Sequence, residues 1–293
     1  MRVATAAGTF ELLAEGDEQA PLVLCLHGFP DTPLGYRPLL GQLAQAGFRA
    51  VAPYMRGYHP STLAGPYHVD RIAADVIALA DALSPSRPLR LVGHDWGAIA
   101  TYLALSRSPG RFASAVTMAA PHPNALVANL REFPGQLRLS WYVSFFQLGK
   151  RAQDRASAND FELIERLWAQ WSPGFRPGKE YLAELKRCLA ASGPAPFEYY
   201  RALFRPMREA LRRARRRLLI DTPTLNLHGA RDGCVDARMT VHQERYFRGR
   251  FDSRVLSGVG HFLHIEQPEE VGAHIVDWFA AKAEPRARTE RGR

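Results

Sequence analysis

Leu91-Val92-Gly93-His94-Asp95-Trp96-Gly97-Ala98 joins a run of strand-forming residues to the start of a helix with almost nothing between them. Glycine stands two positions before Asp95 and two positions after it. A strand-to-helix turn this tight leaves no room for a side chain at Gly93 or Gly97, because a Cβ there collides with neighbouring backbone. The central residue is thereby lifted to the top of a sheet. Gly-x-Asp-x-Gly in this setting reads as a turn that presents Asp95 as a nucleophile.

On either side of this turn, short runs of β-formers alternate with longer helical patterns, which predicts an α/β protein with a mostly parallel central sheet flanked by helices. A hairpin at 2–14, strands at 22–26, 49–53, 89–93 and 113–118, and helices at 36–46, 69–83 and 96–106 form a first block. A second block holds strands at 224–228 and 253–256, a helix at 237–247 and a closing helix at 269–281. In that last helix Val271, Ile275, Trp278 and Phe279 recur at helical spacing. Between the blocks, residues 122–218 lack strand alternation and read as several helices broken by Pro134, Pro173, Pro177, Pro194 and Pro196. This insertion holds 14 of the 30 aromatic residues, an excess that suits the roof of an apolar cavity. The predicted division is a core at 1–121 and 219–281, a helical cap at 122–218 and a basic disordered tail at 282–293.

Gly229-Ala230-Arg231-Asp232 puts a carboxylate just past a strand end, and Gly260-His261 follows the next strand. Nucleophile, acid and histidine thus fall in the chain order Asp95, Asp232, His261. Asp236, the other acid, reads better as the N-cap of the following helix, and His264 as part of the loop before Pro268. After the strand at 22–26 comes His27-Gly28-Phe29-Pro30, where the backbone N–H groups of Phe29 and Trp96 would form an oxyanion hole over the Asp95 carboxylate. A cis bond at Pro30 would turn Phe29 inward, and His27 reads as a brace for the loop. An aspartate of ordinary pKa ~3.9 is ionised at neutral pH and needs no base to attack a saturated carbon. The ester formed on Asp95 is then hydrolysed by a water that His261 deprotonates while Asp232 orients the imidazole.

These motifs closely resemble the epoxide hydrolase branch of the α/β-hydrolase superfamily, over nearly the whole chain from Thr9 to Ala281. His27-Gly28-Phe29-Pro30 is similar to the family's H-G-x-P, and Arg56-Gly57-Tyr58 through Ser61 to its G-x-x-x-S/T loop. The family carries two cap tyrosines that hold the epoxide oxygen. Trp141-Tyr142-Val143-Ser144 resembles the first segment and points to Tyr142, while Phe197-Glu198-Tyr199-Tyr200-Arg201 resembles the second and points to Tyr200, with Tyr199 as the alternative. The resemblance implies an α/β-hydrolase fold with an inserted helical cap and hydrolysis of a small apolar epoxide to a vicinal diol, with no cofactor and no metal. Trp96, Phe29, Trp141 and Phe146 are the residues expected against the substrate. Two other readings stay open, a haloalkane or haloacid dehalogenase with the same nucleophile and a non-catalytic binder of small ligands. Haloalkane dehalogenases typically have Asn where Phe29 stands and fluoroacetate dehalogenases Arg where Trp96 stands, and this chain has neither.

At roughly 150 residues per domain, 293 residues allow one or two domains, and 46% hydrophobic content supports a buried core rather than a disordered or fibrous chain. No stretch reaches the ~20 consecutive apolar residues of a membrane span, and Met1 leads straight into strand-like sequence, so membrane insertion is not expected and a cytoplasmic location is. The net charge of +9 is local: residues 201–217 hold eight Arg against one Glu, and 281–293 hold five basic residues against two acidic ones. The rest of the chain is near neutrality, so no broad cationic surface tracks a nucleic acid, and the run at 211–219 reads as a solvated helix face. Cys25, Cys188 and Cys234 are scattered, odd in number and without metal-ligand spacing, which reads as three reduced thiols. Whether the protein forms a homodimer through its cap is left open by the sequence.

Overall fold

The apolar runs become eight strands: β1 (Arg2–Thr5), β2 (Gly8–Glu15), β3 (Leu22–Leu26), β4 (Arg49–Pro53), β5 (Leu89–His94), β6 (Phe112–Met118), β7 (Thr224–Gly229) and β8 (Phe251–Leu256). The structure, a computed structural model, describes residues 1–281, so the expected tail at 282–293 lies outside the described residues. The strands form one sheet in the order β1-β2-β4-β3-β5-β6-β7-β8. β1, β2 and β4 pair antiparallel, and every later neighbour pairs parallel.

The helices of the first block are α1 (Arg37–Gln45), α2 (Val69–Leu83) and α3 (Trp96–Arg107). Residues 122–218 carry α4 (Pro123–Asn129), α5 (Gln136–Leu139), α6 (Trp141–Phe146), α7 (Lys150–Trp171), α8 (Lys179–Ser192), α9 (Ala195–Ala202) and α10 (Met207–Ala214). α11 (Leu263–Glu266) and α12 (Pro268–Ala280) follow β8. β3 is buried at every position because helices cover both faces of the sheet. Its alternate residues serve different cores: Leu22, Leu24 and Leu26 pack with α2, α3 and the inserted helices, whereas Val23 and Cys25 pack with α1 and α12. No helix among the described residues is long and apolar enough to cross a membrane.

Three sequence expectations need correction. The helix expected at 237–247 is instead two 3₁₀ turns, Ala237–Thr240 and Gln243–Tyr246, separated by an extended Val241 and a left-handed His242 at φ 59°. Gln243 accounts for the break: it is fully buried, donates to Asn226 Oδ1 at 3.0 Å and accepts from the His122 N–H at 3.0 Å. Those bonds tie it to β7 and to the start of the insertion, and a continuous helix would turn it away. The helical run expected at 211–219 ends at Ala214, because the Asn124 amide donates to the Arg216 carbonyl at 2.9 Å, accepts from the Leu218 N–H at 2.8 Å and holds that segment against α4. His264 lies not in a loop but in α11, fully buried. α7 is also interrupted at Ala158–Phe161, where Asn159 and Asp160, residues that tolerate left-handed backbone, take φ near 50° and 52°.

The inserted helices lie over the carboxyl ends of the strands and are tied to the loops there. The Trp168 indole donates to the Pro30 carbonyl at 3.1 Å, the Ser192 hydroxyl accepts from the His59 N–H at 2.8 Å, and the Gln136 amide donates to the Cys234 carbonyl at 2.8 Å.

Candidate active site

Asp95 sits between β5 and α3 with φ 51° and ψ −116°, a conformation that costs an L-residue on the order of 1–3 kcal/mol. The surrounding glycines permit it. A Cβ at Gly97 would overlap the Leu26 carbonyl oxygen, and one at Gly93 would lie 2.5 Å from the Gly97 carbonyl oxygen. Asp95 Oδ1 accepts a 2.8 Å hydrogen bond from the Phe29 N–H, and the Trp96 N–H at the start of α3 lies beside the same carboxylate. The Phe29–Pro30 peptide is cis, and the His27 ring braces the loop through the Gly28 carbonyl and the Met55 N–H, each at 3.0 Å. Burial pushes the Asp95 carboxyl up to about 6, against the pull of His261 and the two N–H donors.

His261 and Asp232 arrive from the loops after β8 and β7. The His261 ring nitrogen Nδ1 lies 2.9 Å from Asp232 Oδ2, so with Nδ1 protonated it donates to that carboxylate and leaves Nε2 free. Nε2 faces Asp95 Oδ2 at 3.9 Å. Asp232 is itself fixed, since its Oδ1 accepts from the Cys234 N–H at 2.7 Å and the Val235 N–H at 2.9 Å. Burial works against a charged His261, but the Asp232 carboxylate outweighs it and holds the imidazole well above the ordinary histidine range. Asp236 caps the first 3₁₀ turn through the Arg238 N–H at 2.9 Å and takes no part in this group.

A cavity of about 320 Å³ opens above Asp95, lined by Trp96, Ile99, Leu103, Tyr142, Val143, Tyr200, Leu203 and Val235 among others. Apart from Asp95, its charged lining residues are Arg213 and Arg216. Tyr142 and Tyr200 come from α6 and α9, and their rings meet at 5.4 Å. The Tyr200 hydroxyl is buried without a hydrogen-bond partner among the described residues, whereas that of Tyr142 lies 3.1 Å from Cys234 Sγ. Burial and the Asp95 carboxylate push both phenols well above their ordinary range, so both stay protonated. Tyr199 directs its hydroxyl away, to the Arg56 carbonyl at 2.6 Å. Phe146 is buried behind Tyr200, stacked on it at 5.1 Å and set edge-on to Phe29 at 5.6 Å. Trp141 stands apart: it is 40% exposed and borders a separate groove with Phe145, Arg155 and Arg166.

The fold also brings to this region residues that the sequence gives no place at the site. Cys234 is fully buried, and its Sγ, an Asp95 carboxylate oxygen and a His261 ring nitrogen lie within 4.8 Å of one another. Its position two residues past Asp232 was the available signal. Behind His261, the residues Asp31, His94 and His264 form a buried cluster of similar dimensions, with His94 Nε2 at 2.9 Å from the His261 carbonyl and the His264 ring stacked on Tyr36. Burial pushes His94 well below the ordinary range, so it is neutral and donates that bond. Arg213, expected on a solvated face, is 11% exposed and joins Arg107 and Arg216 around Asp70.

Residues 21–268 match the family model described as alpha/beta hydrolase fold. Mouse epoxide hydrolase 4 is 29% identical over 300 residues, which cover 98% of this chain and 80% of that protein. Epoxide hydrolase 3 of Xenopus tropicalis is 31% identical over 282 residues, covering 92% of this chain and 74% of that protein. Among solved structures, an epoxide hydrolase of Bacillus megaterium in complex with an inhibitor superposes with a TM-score of 0.84 at 23% identity, covering 96% of this chain and 100% of that one.

Proposed function

Because the chain belongs to the alpha/beta hydrolase fold family, in the branch that holds the epoxide hydrolases, we propose that it converts a small apolar epoxide and water to a vicinal diol through an ester on Asp95. The observation that carries this reading is the pairing of a carboxylate at the strand-to-helix turn with two protonated tyrosines across one apolar cavity. A carboxylate can displace a leaving group from saturated carbon, and an epoxide oxygen, leaving as an alkoxide, requires a proton donor.

In the first step Asp95 attacks. Its Oδ1 is held by the Phe29 N–H, which leaves Oδ2 to form the new C–O bond. As the epoxide C–O bond breaks, one tyrosine hydroxyl gives its proton to the alkoxide and the other donates a hydrogen bond. Tyr200, with its hydroxyl free and beside the nucleophile, is assigned as the second donor in preference to Tyr199. At about 6, the Asp95 carboxyl is still mostly ionised at neutral pH and is more basic than an exposed one.

Ester formation removes the negative charge that faced His261 Nε2, which lowers the proton affinity of the imidazole just when it must act as a base. His261 then deprotonates a water that attacks the ester carbonyl carbon, with Asp232 holding the ring. The negative charge develops on Oδ1, which the Phe29 N–H already bonds and near which the Trp96 N–H stands as a second donor, and losing one such donor typically costs on the order of 100-fold or more. Collapse of this intermediate expels the diol oxygen, which recovers its proton from His261, and the proton left on the Asp95 carboxyl returns to the tyrosinate, which restores both groups.

The direct test is turnover of terminal, internal and aryl epoxides beside haloalkanes, with products identified. Diol formation from at least one epoxide class, faster than halide release from any haloalkane, is expected. Halide release without diol formation would reassign the leaving-group site, with the Trp96 indole as the first candidate donor.

A further inference from the structure

Cys234 has no part in the reaction above, yet it stands in the middle of its machinery. The hydrogen bond from its N–H to Asp232 places it next to the acid, and its Sγ lies 3.1 Å from the Tyr142 hydroxyl. Sγ, an Asp95 oxygen and a His261 ring nitrogen lie within 4.8 Å of one another. His261 Nε2 is the second feature pointing to a ligand: it is fully buried, faces Asp95 Oδ2 at 3.9 Å and has no hydrogen-bond partner among the described residues. Bond lengths of about 2.0–2.3 Å put the ligand atoms of a tetrahedral zinc-type site roughly 3.3–3.8 Å apart, so the 3.9 Å between Nε2 and Oδ2 is near that spacing and the sulfur, within 4.8 Å of both, has at most about an ångström to close. The Nδ1–Asp232 bond is also the brace that metal-bound histidines use to fix ring orientation.

We propose that Cys234, His261 and Asp95 form a binding site for a thiophilic divalent cation of the zinc and cadmium class, and that an ion bound there switches the hydrolase off. Sulfur, imidazole and carboxylate together favour such soft or borderline ions over Mg²⁺ and Ca²⁺, which take oxygen ligands. On binding, the Cys234 S–H and His261 Nε2–H bonds break, metal–sulfur and metal–nitrogen bonds form and both protons pass to solvent, with no change in oxidation state. The thiolate and the Asp95 carboxylate balance the dication, and the Asp232 carboxylate stays hydrogen-bonded to the imidazole, so the net charge of the buried group is the same before and after binding. Inhibition follows because the nucleophile and the base are both engaged. The inhibitory half rests on the hydrolase reading; the binding half does not.

Cadmium titration of the purified full-length protein tests both halves. In the absence of substrate, the ultraviolet sulfur-to-cadmium charge-transfer band is expected to saturate at one ion per chain. Diol formation should fall in step with that band and return on adding a chelator, while Mg²⁺ has no effect. Cys234→Ala should lose the band and raise the half-inhibiting cadmium concentration at least tenfold relative to its own basal rate, and Cys188→Ala should change neither. His261→Gln gives a second route should Cys234→Ala fail to fold, and its cadmium affinity should fall at least tenfold. No band in the wild type, or a band that survives loss of Cys234, overturns the site. A Cys234-dependent band with undiminished diol formation overturns the switch. A protein that forms no diol from any epoxide tells against the hydrolase reading alone, and the band still decides whether the site exists.

Discussion

Asp95 holds a strained backbone and a carboxyl raised by burial to about 6, and both features make predictions. Below pH ~4 the group is protonated in the folded and unfolded chains alike, so it adds no pH dependence there. As pH rises through about 6 the unfolded chain has already lost the proton that the folded one still binds, and above that the ionised carboxylate destabilises the fold by on the order of 2–3 kcal/mol. Asp95→Asn keeps an acceptor for the Phe29 N–H and removes the charge. Urea unfolding should therefore find it more stable than the wild type at pH 8, with the gap closing toward pH 4; an equal gap at both values contradicts the raised carboxyl. For the same reason the rate of enzyme alkylation should drop on an acid limb near pH 6, where the nucleophile gains its proton. Tyr142→Phe and Tyr200→Phe each remove a proton donor at almost no cost in volume. General acid catalysis is typically worth ~100- to 10,000-fold, so rapid-mixing measurements should show slowed alkylation in each and almost none in the double variant. The larger single loss is expected at Tyr200, whose hydroxyl is free, because that of Tyr142 also contacts Cys234. Double-variant alkylation at the wild-type rate would remove the tyrosines from the mechanism.

α10 is the element where sequence and structure differ most. A run of arginines reads as a solvated face, but the structure separates it: Arg212 and Arg215 are exposed, while Arg213 and Arg216 reach inward to Asp70 of α2 and border the cavity. Replacing Arg213 and Arg216 together by Gln should lower the melting temperature by a few degrees and raise KM several-fold. The same change at Arg212 and Arg215 should leave both within error, and equal effects would mean that the helix is anchored elsewhere. The difference is physical: charge composition is legible in one dimension, whereas the partner, Asp70, comes from a distant helix. The strands were legible because apolar runs flanked by glycine and polar residues have few other uses, and β3 and α2 begin and end where their patterns do. The segment at 237–247 was not, because the bonds that Gln243 makes to Asn226 and His122 override a helical pattern. Likewise Asp95, Asp232 and His261 each announce themselves beside a glycine at a strand end. Cys234 is marked only by its place two residues past Asp232, and Asp31, His94 and His264 have no such local mark and meet only through the fold.

For the molecule as a whole, the insertion between β6 and β7 leaves the sheet continuous. β6 pairs with β7 from Ala115–Thr224 to Met118–Leu227, so the turn after β5 and the loops after β7 and β8 emerge at one edge under the inserted helices. That arrangement brings Asp95, Asp232 and His261 together with tyrosines supplied from above, and the reaction we propose for it runs through a covalent ester on Asp95. His261→Gln tests this most directly, because it removes the base for the second step while leaving the nucleophile and the tyrosines of the first. After addition of an epoxide turned over by the wild type, intact-protein mass spectrometry should show one added substrate mass, mapping to the peptide that contains Asp95. No adduct on His261→Gln, together with diol formation by Asp95→Ala at the wild-type rate, would contradict it.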